Sequence, residues 1–180
     1  MKRLSFILIP SILLMFAFGF SACSEENHGH SNATTHSEET TGPTASQTGL
    51  SQSQTQQTLT AYLQVKDALV ATDATATATA AKEMAESLAG ITEVAEIQSL
   101  AQQIGASEDV AVQREIFNSL SQQVYALAKE ASALETKLYK QYCPMAFNNT
   151  GAYWLAAESE VNNPYFGDMM LHCGKVEEEL

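Results

Sequence analysis

Two cysteines, three of the six methionines, one histidine and the only tryptophan fall between Cys143 and Gly174. Cys143 and Met145 flank Pro144, and if that stretch is extended their side chains share one face as a two-sulfur clamp. Met169 and Met170 precede Cys173 by four and three residues. One helical turn would therefore set a thioether beside a thiolate, with His172 at the edge and Gly174 ending the turn. Thiolate and thioether are soft, polarizable donors that favour Cu(I) over magnesium, calcium or manganese, and a site of two Cys plus His also suits zinc. The candidate metal ligands are thus Cys143, Met145, Met169, Met170, His172 and Cys173, with a copper ion, Cu(I), as the expected cofactor. The other methionines are Met1, Met15 and Met84, a distribution that bulk core packing does not explain.

The same cysteines admit a second chemistry. Two cysteines thirty residues apart in an oxidising compartment form disulfides readily. A Cys143–Cys173 bridge would contribute about 3 to 4 kcal/mol in the chain-entropy model, leaving the methionines as core filler. CPM and CG are less specific than paired CxxC motifs, so spacing leaves both chemistries open. No Gly-rich phosphate loop, nucleophile elbow or HExxH occurs, and no nucleophile, base and oxyanion set can be assembled. The chain is expected to bind without catalysing.

Compartment is set by the start of the chain. Met1-Lys2-Arg3 is a basic n-region and Leu4 to Phe20 an apolar run, a signal peptide over residues 1–22. Phe20-Ser21-Ala22-Cys23 resembles the lipobox of bacterial lipoproteins, which implies lipidation at Cys23 and a membrane anchor there. Ser24-Glu25-Glu26 is similar to the acidic tag of surface lipoproteins, so the expected location is the outer membrane, periplasmic or surface facing. The whole chain carries a net charge of −12, and loss of Lys2 and Arg3 makes it −14. A field of that sign repels phosphate backbones and argues against nucleic acid as a partner. Residues 23–51 are rich in Ser, Thr, Gln and Glu and too poor in aliphatics to offset chain ordering, the composition of a tether. Within it His28, His30 and His36 could serve as auxiliary ligands for borderline metal ions.

Residues 52–180 are long enough for one domain with one core. Leu59, Tyr62, Leu63, the Lys66 stem, Leu69 and Val70 recur at helical spacing and predict helix one over 52–72. Asp73 caps a second helix with the small-residue stripe Ala78, Ala81, Met84, Ala85 and Leu88, ending near Gly90. Thr92 and Glu93 open a third, with Val94, Ile97, Leu100, Ala101 and Ile104 on one face and Gly105 as its stop. The fourth is expected over 108–139, headed by Ser107, with the stripe Val112, Ile116, Leu120, Val124, Leu127, Ala131, Leu134 and Leu138. Short turns join them, so the expected fold is all-α: an up-and-down four-helix bundle. On it would pack an irregular Cys/Met-containing C-terminal segment punctuated by Pro144, Asn148-Asn149-Thr150-Gly151 and Asn162-Asn163-Pro164 and docked through Trp154, Leu155, Tyr165 and Phe166.

The run CPMA, WLA, NPYFG and MMLHCG, with YLQVKDAL at Tyr62 to Leu69 and QREIFNSLSQQV at Gln113 to Val124, resembles a domain-of-unknown-function family of small Gram-negative lipoproteins. The same domain occurs fused to periplasmic adaptor subunits of heavy-metal resistance-nodulation-division efflux pumps. The resemblance implies periplasmic copper or silver handling, with heavy-metal efflux components as partners. It matches Cys143, Met145, Met170 and Cys173 to the recurrent sulfur positions most directly. The expected function is lipid-anchored soft-metal binding for buffering or delivery. The alternative is an interaction lipoprotein in which Cys143 and Cys173 are only a staple.

Overall fold

A computed structural model describes residues 49–180; the signal peptide, Cys23 and the histidines His28, His30 and His36 lie outside the described residues. Helix α1 (Gln52–Val70) starts at a capping box, in which the Gln54 N–H donates to Ser51 Oγ and the Ser51 N–H to Gln54 Oε1. Helix α2 (Ala74–Ser87) is capped by Asp73, whose carboxylate accepts the Ala76 N–H at 2.9 Å. A 3-10 turn (Thr92–Val94) leads into α3 (Ala95–Gly105), and Asp109, two residues after the expected Ser107, caps α4 (Val110–Glu130). The stripes of α1 to α3 bury as their spacing requires, from Leu59, Tyr62 and Leu69 through Ala81 and Met84 to Ile97 and Ile104. The helices pack in chain order and α4 returns against α1.

Gly105 does not stop α3 by a left-handed turn. It is the last residue of the helix and the point of closest approach to α2, where a Cβ would lie 2.8 Å from Lys82 Cγ and 3.3 Å from the Ala78 carbonyl. Lys66 does more than lay its stem on the apolar face. Its ammonium is buried with Asp67 at 2.6 Å and Glu158 at 2.5 Å, which ties α1 to the segment behind the second strand.

The all-α expectation is overturned. Strands β1 (Tyr139–Cys143), β2 (Ala152–Ala156) and β3 (Lys175–Glu179) form an antiparallel sheet in the order β2-β1-β3, where an irregular segment was expected. The fourth helix, expected to 139, ends at Glu130 because Ala131 turns extended (φ −64°, ψ 134°). Leu138 is buried beside the sheet and exchanges backbone hydrogen bonds with Leu180. Apolar positions at 127, 131, 134 and 138 fit a helix, but the competing partner is forty residues away. Cross-strand pairing with the C-terminal residues satisfies this backbone, a non-local gain that helical periodicity does not register. The face assigned to α4 is also shifted: Val112 is 42% exposed, while Gln113, Arg114 and Phe117 point inward.

The acidic run at the C-terminus is strand β3. Lys129 pairs with Glu178 at 2.6 Å, Lys137 with Glu179 at 2.5 Å and Lys140 with Glu177 at 3.5 Å, so the run is balanced by lysines from α4, the linker and β1. The sheet rests on α4 and α1 through β2. Tyr62 joins all three elements: its ring stacks on Phe117 at 5.2 Å, its hydroxyl meets Ser121 Oγ at 2.8 Å, and it accepts the Leu155 N–H at 3.1 Å. Burial raises the Tyr62 phenol well above its ordinary pKa.

Candidate metal centre

Cys143 is the last residue of β1, opposite Ala152 and fully buried. The chain then turns at once, because Met145 adopts helical angles (φ −88, ψ −12) and opens the single turn α5 (Ala146–Asn149). The extended Cys143-Pro144-Met145 clamp is therefore not formed. Phe147, Asn148 and Asn149 all take positive φ, at 51°, 56° and 66°, a left-handed run that costs about 1 to 2 kcal/mol per residue. Two asparagines tolerate this; a phenylalanine does so only against compensating contacts.

Cys173 reaches the pair along another route. Gly167–Met169 is a 3-10 turn and Met170 leaves the helical region (φ −149°, ψ 57°), so the helical turn expected to link Met169 and Met170 to Cys173 is replaced by a tight turn closed by the Cys173 N–H on the Met170 carbonyl at 3.0 Å. Asn163, fully buried, holds this loop from inside. Its Nδ2 donates to the Cys173 carbonyl at 2.7 Å, and its Oδ1 accepts the N–H groups of Tyr165 and Phe166 at 2.8 and 3.3 Å. Gly174, at φ 148°, lets the backbone slide over β1: a Cβ there would lie 2.8 Å from the Tyr142 carbonyl and 3.2 Å from the Trp154 ring.

The result is a Cys143–Cys173 pair with its sulfurs 3.0 Å apart, both as free thiols. The hydrogen bond to Cys143, and then burial, push the Cys173 thiol above its usual pKa. A disulfide needs about 2.05 Å. One metal ion held linearly between two thiolates needs about 4.6 Å, twice a metal–sulfur bond of about 2.3 Å. The pair sits nearer to bonding distance than to bridging distance, so a shared ion requires it to open.

The methionines gather elsewhere. Met145, Met169 and Met170 line one cleft of about 520 Å³ with Phe147, Tyr165, Phe166, Arg114 and Glu115. Met145 and Met169 are 47% and 74% exposed, so core filling does not describe them. Five of the six expected ligands thus resolve into a thiol pair and a thioether cleft. The two are linked through Cys143-Pro144-Met145 on one side and the Met170–Cys173 turn on the other. His172 is exposed, and its Nδ1 donates to the Val161 carbonyl at 2.8 Å, which leaves Nε2 as the nitrogen with a free lone pair. Among the described residues no group of three or more His, Cys, Asp or Glu is placed to hold a metal, so a site here depends on the thioethers.

Arg114 was not singled out by sequence. It is buried on α4, donating from Nε to the Pro164 carbonyl at 2.8 Å and from Nη2 to the Leu69 carbonyl and Thr72 Oγ1 at 3.3 and 3.1 Å. The guanidinium fastens the end of α1 to the loop that carries Phe166, Met169 and Met170. Burial lowers its pKa from the ordinary arginine value. Asn163 was legible only as a turn former. Tyr165, expected as a docking aromatic, donates its hydroxyl to the Tyr153 carbonyl at 2.7 Å, whereas Trp154 Nε1 has no hydrogen-bond partner among the described residues.

No curated protein and no solved structure matches this chain. A family model covers residues 58–136, from within α1 to the linker after α4, so the helices carry the match and the Cys/Met segment lies beyond it. Through these helices residues 58–136 are similar to the family described as protein of unknown function, DUF3347.

Proposed function

We propose that this is a lipid-anchored extracytoplasmic binding protein for a soft metal ion, Cu(I) first, which it buffers or passes to an efflux or resistance system. The observation that carries this reading is the convergence of Met145, Met169 and Met170 on one open cleft, with a thiol pair at its two chain connections. Thioethers do not ionise, hold Cu(I) at low coordination number and exchange quickly, which suits transfer better than permanent storage. The cleft is open enough for a partner's ligands to approach.

The test is an anaerobic Cu(I) titration of the reduced full chain against a colorimetric chelator. Stoichiometric competition is expected. Met145→Leu with Met170→Leu should weaken affinity by at least about tenfold, equivalent to about 1.4 kcal/mol; unchanged affinity would sink the proposal. A second reading, an interaction lipoprotein stapled by Cys143–Cys173 without metal, is favoured by the 3.0 Å sulfur separation. It predicts no competition in either redox state and no free thiol at these positions until reductant is added.

A further inference from the structure

We propose that the Cys143–Cys173 pair is an electron donor that reduces Cu(II), and that the adjoining methionine cleft receives the Cu(I) produced. This deepens the copper reading above and rests on it. The two thiols are in contact at 3.0 Å, so forming their bond requires an approach of about 1 Å. Cys143 is fully buried and Cys173 partly exposed, so Cys173 is the more accessible to an incoming ion and Cys143 lies behind it at contact distance. That geometry favours an intramolecular disulfide over bonding between chains.

The donor set supplies the direction. Cu(II) favours tetragonal nitrogen and oxygen ligands, whereas thioethers favour Cu(I). Among the described residues no three-member group of His, Cys, Asp or Glu is available to hold the oxidised ion. Next to Cys173, His172 keeps Nε2 free as one borderline donor for first contact, its Nδ1 being tied to Val161. Once the thiols are consumed, Met145, Met169 and Met170 still offer ligands that disulfide formation leaves intact.

The step balances with copper as its own oxidant. Two S–H bonds break, one S–S bond forms, two protons go to water, and each of two Cu(II) ions gains one electron to become Cu(I). It is a single turnover; a second one requires an external dithiol to exchange with the new disulfide.

The experiment mixes the reduced full chain, carrying Cys23→Ser so that Cys143 and Cys173 are the only thiols, with Cu(II) chloride under argon. Cu(I) is counted with a chromogenic chelator, thiols with a disulfide reagent, and products by mass. The expected result is two Cu(I) per chain, loss of both thiols and a monomer lighter by two hydrogens. Cys173→Ser in the same background should reduce Cu(II) at least about tenfold more slowly, because only bonding between chains remains. Disulfide-linked dimers as the main product, or equal rates in both proteins, would overturn the proposal. Failure of the copper reading looks different: reduction proceeds but gel filtration leaves no Cu(I) on the chain, and directly added Cu(I) is not retained either. Retention of added Cu(I) without reduction of Cu(II) overturns the electron-donor step alone.

Discussion

Arg114→Met tests how the helices position the cleft. Methionine keeps most of the apolar stem and removes the hydrogen bonds to Pro164, Leu69 and Thr72. Hydrogen bonds from a charged donor contribute about 1.5 to 3 kcal/mol each, and the 3.3 Å bond to Leu69 belongs at the weak end. Removing the guanidinium also relieves the cost of having buried it, so the net loss is about 3 kcal/mol rather than the full sum. At about 4 °C per kcal/mol for a domain of this size, Tm should fall by about 12 °C. Urea unfolding followed by Trp154 fluorescence and by helical circular dichroism gives the free energy, with Trp154 reporting the sheet as the sole tryptophan. Cu(I) affinity should fall as well, because the loop carrying Met169 and Met170 loses its tie to α4. Leu100→Ala, a cavity on α3 of about 2 to 5 kcal/mol, supplies the control, since Leu100 does not line the cleft. A loss below about 1 kcal/mol in Arg114→Met refutes the structural role. Equal effects of the two variants on copper refute the positioning role.

Other perturbations follow from the same contacts. Tyr62→Phe should cost about 2 kcal/mol by orphaning the Leu155 N–H and Ser121, and adding Ser121→Ala should cost less than the two single losses combined, read in a chemical-denaturation cycle. Gly167→Ala should cost more than about 2 kcal/mol, since φ is 55° and the new Cβ would clash with Thr72 Oγ1; its Tm should fall while Gly90→Ala, with open space around it, falls less. Tyr125 is pushed up to about 12 by its hydrogen bond to the Glu178 carboxylate, and Tyr62, Tyr153 and Tyr165 are raised by burial. With folded values above unfolded ones, the folded state holds more protons in that range, so stability is intact below about pH 10 and declines as pH rises from there towards 12. Absorbance at 295 nm should show the buried Tyr62 and Tyr165 ionising only as the chain unfolds, and their free ionisation before unfolding would contradict their packing.

Helices α1 to α3 were readable because each one states its period, cap and stop within its own residues. The Asp73 cap and the Ala78-Ala81-Met84-Ala85 stripe are local facts, and the structure keeps them. The strands were not readable for a matching reason. Tyr139–Cys143 alternates weakly, Ala152–Ala156 reads as a short apolar piece, and Lys175–Glu179 is charged throughout. What makes them a sheet is mutual: Lys140 lies opposite Glu178 on one side and Leu155 on the other. A five-residue strand whose partners come later in the chain carries little of its own signal.

The site divides along the same line. Cysteine spacing said only that Cys143 and Cys173 could meet; Gly174 and Asn163 are what make them meet, one by removing a side chain from the path and the other by binding the Cys173 carbonyl. Neither role is carried by spacing, because each is defined by a partner thirty residues back or ten ahead. Grouping the methionines with the cysteines rests on two assumptions, an extended CPM and a helical MMLHC. Both assumptions fail at the backbone, through the helical angles of Met145 and the 3-10 turn at Gly167–Met169. That failure has chemical content. A single six-ligand centre would lose its metal whenever the thiols oxidise, whereas a thiol pair set apart from a thioether cleft can change redox state and leave the cleft's donors in place.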